Sequence, residues 1–116
     1  MVQLESSVER TGDRVTVALA GEADLATIGQ LRDALFGAVA QRPGRVVVDL
    51  RGLLFIDSMS ISALIAARRA AFEHGTEFVV ANPRGQVLKV FVVSGVLDAL
   101  TGGEASGDEA GTALGA

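Results

Sequence analysis

Arg45 to Leu50 reads Arg-Val-Val-Val-Asp-Leu, and no other stretch of the chain constrains the fold as strongly. Three consecutive Val residues in a run bounded by Gly44 and by Arg51-Gly52 form the pattern of a strand buried on both faces. Such a strand is expected at the centre of a sheet, with other elements covering it. Before it, Leu25, Ile28, Leu31, Leu35 and Val39 recur at spacings of three and four, with Asp24 placed to cap the N-terminus and Arg42-Pro43-Gly44 ending the run. This predicts an amphipathic helix. After it, Arg51-Gly52 reads as a turn and Leu53-Leu54-Phe55-Ile56 is expected to pack inward. A second helix is predicted from Asp57-Ser58, with Ile61, Leu64 and Ile65 on its core face and Arg68-Arg69 exposed.

Arg14 to Ala20 alternates, placing Val15, Val17 and Leu19 on one face, and Gly12-Asp13 just before it is a hairpin turn that joins it to a weaker strand over Val2 to Val8. Gly75 stops the second helix, and Glu77 to Ala81 reads as another buried strand. Asn82-Pro83 begins a turn or a third helix, whose apolar side is Val87, Leu88, Phe91 and Val92; beyond Ser94-Gly95, Val96, Leu97 and Leu100 are expected to pack back onto the core. Strand-helix-strand units require crossovers and parallel pairing. The pattern therefore predicts an α/β domain with helices covering a face of the sheet. Residues 1–101 are expected to form this one domain. From Gly102 to Ala116 the chain turns to Gly, Ala, Ser, Thr and acid, with Leu114 the only large apolar residue, and a flexible tail is expected.

Charge and composition exclude several functions. A net charge of −4 opposes general nucleic-acid binding, and five Phe with no Trp or Tyr leave little for stacking bases. No Cys and one His rule out thiolate metal clusters, His-pair metal sites and thiolate catalysis, so neither a metal nor a cofactor is expected. His74, in Phe72-Glu73-His74-Gly75, reads as a helix-end residue favoured by the dipole rather than as a catalytic base. An enzyme is not expected. The longest apolar runs are broken by charge and the N-terminus lacks a leader pattern, so a cytoplasmic protein that does not enter the membrane is expected.

The segment that carries a functional signal is Asp57-Ser58-Met59-Ser60, where a buried strand delivers the chain to a helix. Ser58 can serve there simply as an N-cap, its hydroxyl accepting from a free backbone N–H. A helix N-terminus also tolerates an added phosphate, because free N–H groups and the positive dipole end meet the incoming charge. Phosphorylation would add roughly −1.5 to −2 charge without unfolding the helix. The acids Glu22, Asp24 and Asp57 would sharpen the contrast if the fold gathers them beside Ser58.

Gly21-Glu22-Ala23-Asp24 resembles a Gly-Glu-Leu-Asp element. Val46 to Ser58 resembles a hydrophobic strand, Asp-Leu, a short loop and Phe-Ile/Met-Asp-Ser. Both belong to the STAS domain, specifically to the stand-alone anti-sigma factor antagonists of bacteria, and the resemblance covers about residues 3 to 100. It implies a mixed sheet with helices packed on one side. It also implies a protein that binds an anti-sigma factor serine kinase, is switched off by phosphorylation of Ser58, and is restored by a protein phosphatase. In that reading Asp57 flanks the phosphoacceptor, and Glu22 and Asp24 lie at the partner interface.

The family continues Asp-Ser-Ser/Thr-Gly-Leu-Gly, whereas this chain has Asp57-Ser58-Met59-Ser60-Ile61-Ser62. Ser60 and Ser62 are expected to add side chains where a partner lies against the helix, and Met59 a flexible apolar contact. Ser60 is also a second candidate acceptor. The altered stretch motivates an alternative, a STAS adaptor or scaffold subunit that is never phosphorylated. An open sheet edge also leaves a homodimer available.

Overall fold

Thr11 and Arg14 face each other across Gly12-Asp13, and Gly12 takes φ +61, a conformation that costs glycine little. β1 (Glu5–Thr11) thus folds back on β2 (Arg14–Ala23) as an antiparallel hairpin. The computed structural model describes residues 3–102. After a single 3-10 turn, Leu25–Thr27, come α1 (Ile28–Ala40), β3 (Arg45–Ile56), α2 (Ser58–Glu73), β4 (Glu77–Ala81), α3 (Gly85–Val93) and α4 (Leu97–Thr101). The sheet runs β1-β2-β3-β4, with β2, β3 and β4 parallel and β1 antiparallel at the edge.

Alternation along the strands explains the layering. Val15, Val17 and Leu19 of β2, Val46, Val48 and Leu50 of β3, and Phe78 and Val80 of β4 are buried on the helix-covered face. Leu31, Leu35 and Val39 of α1 and Ile61, Leu64, Ala67 and Ala71 of α2 pack down on it, joined by Phe91 of α3 and Leu100 of α4. The expected mixed sheet with helices on one side is what forms. The opposite face carries Thr16, Ala18, Ala20, Val47, Asp49, Val79 and Ala81, all half-buried.

Several local expectations are corrected. The Val46–Val48 run is buried on one face only, because Val47 points to the open side. Arg51-Gly52 is not a turn between elements but an irregularity inside one strand of 12 residues, with register shifts against β2 between Ala18 and Ala20 and between Gly21 and Glu22. Beyond it Leu53 and Ile56 turn inward while Leu54 and Phe55 turn out, 64% and 38% exposed. The first strand lies at Glu5–Thr11 rather than Val2–Val8. Leu25 is exposed, because the chain makes the 3-10 turn before α1 begins. α3 buries only Val87 and Phe91, leaving Leu88 and Val92 exposed. Leu97–Thr101, expected only to pack back, is itself helical. No helix among the described residues is long and apolar enough to cross a membrane. The tail expected over 102–116 lies outside the described residues except for Gly102.

Candidate functional site at the carboxyl end of the sheet

Parallel strands end together, so the loops after β2 and β3 emerge side by side at one end of the sheet. Ala23 pairs with Ile56, and the Asp57 N–H donates to the Ala23 carbonyl at 3.1 Å. Asp24 and Asp57-Ser58, 33 or more positions apart in the sequence, are thereby held on neighbouring strand ends. Glu22 lies opposite Phe55 in the same ladder and is half-buried.

Each aspartate caps the element it precedes. Asp24 forms a capping box with Thr27: its Oδ1 accepts from Thr27 N–H at 3.2 Å, and its own N–H donates to Thr27 Oγ1 at 3.0 Å. Asp57 Oδ1 accepts from Ser60 N–H at 2.8 Å, and its carbonyl accepts from Ile61 N–H at 3.0 Å. The N-cap of α2 is therefore Asp57, not Ser58. A carboxylate already fills the capping role, so Ser58 sits one position inside, exposed, with no hydrogen bond from its hydroxyl among the described residues. Its carbonyl accepts from Ser62 Oγ at 3.1 Å, which ties Ser62 to the helix rather than leaving it free.

Ser60 departs from its expected place. It is fully buried on the core side of α2, so its side chain meets neither a partner surface nor a kinase in this arrangement. Its Oγ has no hydrogen-bond partner among the described residues. Ser60→Ala removes an unpaired buried hydroxyl and improves helix propensity, and is expected to raise the unfolding free energy by about 1 kcal/mol. Urea denaturation checks this, and a lower midpoint would show that the hydroxyl is satisfied.

Three apolar side chains join Met59 on this end of the sheet without having been anticipated there. Leu25 is 66% exposed and Met59 51%, alongside Leu54 and Phe55. Gln86, from the first turn of α3, was also missed: its Oε1 accepts from Ile56 N–H at 3.1 Å and its Nε2 donates to the Ile56 carbonyl at 3.3 Å. It completes the end of β3 as a neighbouring strand would, and so steadies the residue that leads into Asp57-Ser58. No local pattern marks a Gln 30 positions away as that partner.

Asp49, of the Asp-Leu element, faces the open side of the sheet. The Asn82 amide donates to its Oδ1 at 3.0 Å, and that hydrogen bond, working against desolvation and with lesser help from the Arg51 N–H at 3.0 Å and the Arg51 charge, holds the carboxyl below its usual value. A depressed carboxylate contributes stability above its unfolded pKa, about 3.9, and the contribution is lost as pH falls through the folded value. Asn82→Ala is expected to move the Asp49 titration upward, measured by NMR. An unchanged titration would assign the shift to Arg51.

No group of three or more His, Cys, Asp or Glu that could hold a metal occurs among the described residues. His74 is the C-cap of α2, at the far end of a 16-residue helix from Ser58. That is a separation of about 24 Å at 1.5 Å per residue, too far for a Ser–His pair.

Comparison with known proteins agrees with this architecture. A family model described as the Mlab STAS domain matches residues 6–102. A STAS-domain containing protein of Pseudomonas aeruginosa (strain UCBPP-PA14) is 31% identical over 83 residues, covering 72% of this chain and 81% of that protein. Among solved structures, an anti-sigma factor antagonist from Mycobacterium paratuberculosis superposes with a TM-score of 0.72 at 24% identity, covering 85% of this chain and 83% of that one. The anti-sigma factor antagonist SpoIIAA in its unphosphorylated form superposes with a TM-score of 0.71 at 24% identity, covering 90% and 87%. With the family pattern matching residues 6–102, which take in all but the first residue of the described strands and helices, the chain belongs to the STAS domain family.

Proposed function

We propose that this protein is an anti-sigma factor antagonist: it binds a kinase-type anti-sigma factor through the carboxyl end of its sheet, and phosphorylation of Ser58 ends the binding. The observation that carries the reading is the state of Ser58, whose hydroxyl is exposed and unengaged in the first turn of a helix already capped by Asp57. A kinase can take that oxygen without removing a structural bond. Transfer of the ATP γ-phosphoryl group to Ser58 Oγ breaks the bond to ADP, gives up the hydroxyl proton to a base of the kinase and leaves a dianion beside the free N–H groups of the turn, which favour it. Glu22, Asp24 and Asp57 add to the negative field that a partner then meets. Met59, Leu25, Leu54 and Phe55 supply the apolar contact of the unmodified state, and a phosphatase would restore it. The setting is the cytoplasm, where ATP and sigma factors reside.

The test is intact-mass spectrometry with peptide mapping after incubation with ATP and kinase-type anti-sigma factors from the same cell. One phosphate, on Ser58, with loss of the complex is expected. Tight binding without transfer would instead favour a STAS adaptor subunit that is not phosphorylated. The exposed apolar side chains around Ser58, which suit a permanent interface, support that second reading.

A further inference from the structure

The two edges of the sheet are finished differently. β4 has α4 packed beside it, whereas β1 presents all seven residues to solvent, with Val8 47% exposed. The outward N–H and C=O groups of β1 have no strand to bond among the described residues. α1 lies above β1 and β2. Gln30 Nε2 donates to the Leu4 carbonyl at 2.8 Å, and Gln41 Oε1 accepts from Arg10 Nη1 at 3.4 Å. These two glutamines are about three turns apart, so they mark the flank of α1 that overlooks the edge. Gly37 lies on that flank, and a Cβ placed there would meet nothing within 4 Å.

We propose that a second copy of this chain pairs antiparallel along β1, about a two-fold axis through Val8, to give one continuous sheet of eight strands, four from each copy. Charge selects this register. With Val8 opposite its counterpart, Glu5 faces Thr11, Ser6 faces Arg10 and Ser7 faces Glu9, so all seven residues pair and no like charges oppose. Moving the axis to Ser7 sets Glu5 against Glu9, and moving it to Glu9 sets that residue against itself. The period of two forbids the odd shifts, which would pair residues of opposite faces.

The helices fit the same geometry. With α1 above β1 and β2, its axis lies about one strand spacing, 4.8 Å, from the two-fold, which puts the two copies of α1 about 10 Å apart. That is a helix-packing distance of about 8–10 Å, and the absent side chain of Gly37 lowers the ridge between them. Ser58, in the first turn of α2 beyond the end of β3, stays open in both copies. The dimer would therefore present two switch surfaces to its partners.

The chain has no Cys, so single-cysteine variants report on this interface directly. Val8→Cys places two thiols across the axis and is expected to form a covalent dimer on the order of tenfold faster than Phe72→Cys, a variant exposed elsewhere. Sedimentation of the full chain is expected to show a concentration-dependent dimer, and Gly37→Glu, which improves helix propensity while setting carboxylates between the helices, is expected to shift it to monomer. A wild-type chain that stays monomeric throughout its soluble range, or Val8→Cys cross-linking no faster than Phe72→Cys, would overturn the proposal. A Gly37→Glu chain that dimerises like wild type would overturn the helix contact.

Discussion

Ser58→Asp is expected to fold with an unfolding midpoint equal to or slightly above wild type and to bind the anti-sigma factor about a hundredfold more weakly, a loss of about 2.7 kcal/mol. The two effects have opposite signs because the same charge meets different surroundings. Within the chain, a carboxylate at the first turn of α2 faces unbonded N–H groups and the positive end of the dipole, worth about 0.3–1 kcal/mol. Across the interface, it joins Glu22, Asp24 and Asp57 on a surface that must shed water to bind, and like-charge juxtaposition there costs several kcal/mol. Ser58→Ala keeps the neutral surface and is expected to bind as wild type while accepting no phosphate. Calorimetric titration and thermal unfolding of the three chains measure both halves. Equal affinities for all three would sink the switch.

Gly52→Ala is expected to destabilise the fold by about 1–3 kcal/mol, the cost of overpacking a site that cannot yield. A Cβ at Gly52 would lie 2.9 Å from the Ala20 Cβ, with the Ala20 Cα and the Leu19 carbonyl oxygen both at 3.3 Å. The first obstacle is a methyl group and the other two are backbone. Ala20→Gly should therefore rescue part of the loss in the double variant, and a double-mutant cycle by denaturation measures how much. Full additivity would mean that the two positions do not touch. The loss matters to the site because Gly52 lies where β3 shifts register, ahead of the segment that carries Leu54, Phe55, Asp57 and Ser58 outward.

Strong periodicity was legible where a single face decides burial. Val15, Val17 and Leu19 on β2 and Leu31, Leu35 and Val39 on α1 are core residues as their spacing predicts. The helix start at Asp57-Ser58 was legible too, but not which residue caps it, since Asp and Ser are equally suited and the backbone path decides. The turn read at Arg51-Gly52 failed for a different reason. Gly after a charged residue marks a turn as often as a bulge, and only the presence of Ala20 on the adjacent strand shows that the glycine is there for close approach. The inward packing expected of Leu54 and Phe55 failed with it, because each of the two register shifts against β2 resets the alternation beyond it. Ser60 could not be placed from its motif, since a serine in a helix N-terminal turn carries no local sign of the face it takes.

Sequence by itself determined the family and the α/β order of elements, because these rest on periodicity and on motifs read along the chain, and the same motif is what singles out Ser58 for the proposed switch. Tertiary structure alone decided that Asp57 frees the Ser58 hydroxyl, that Ser60 is buried, that Gln86 completes the end of β3, and that Leu25, Leu54, Phe55 and Met59 are exposed at the end of the sheet that carries the site. Apart from the Asp57 cap, a bond over three positions whose backbone path is set by the strand before it, these depend on packing between residues distant in sequence. The bond from Asp57 N–H to Ala23 that brings the two acidic loops together spans 34 positions, and no local preference encodes a contact at that range.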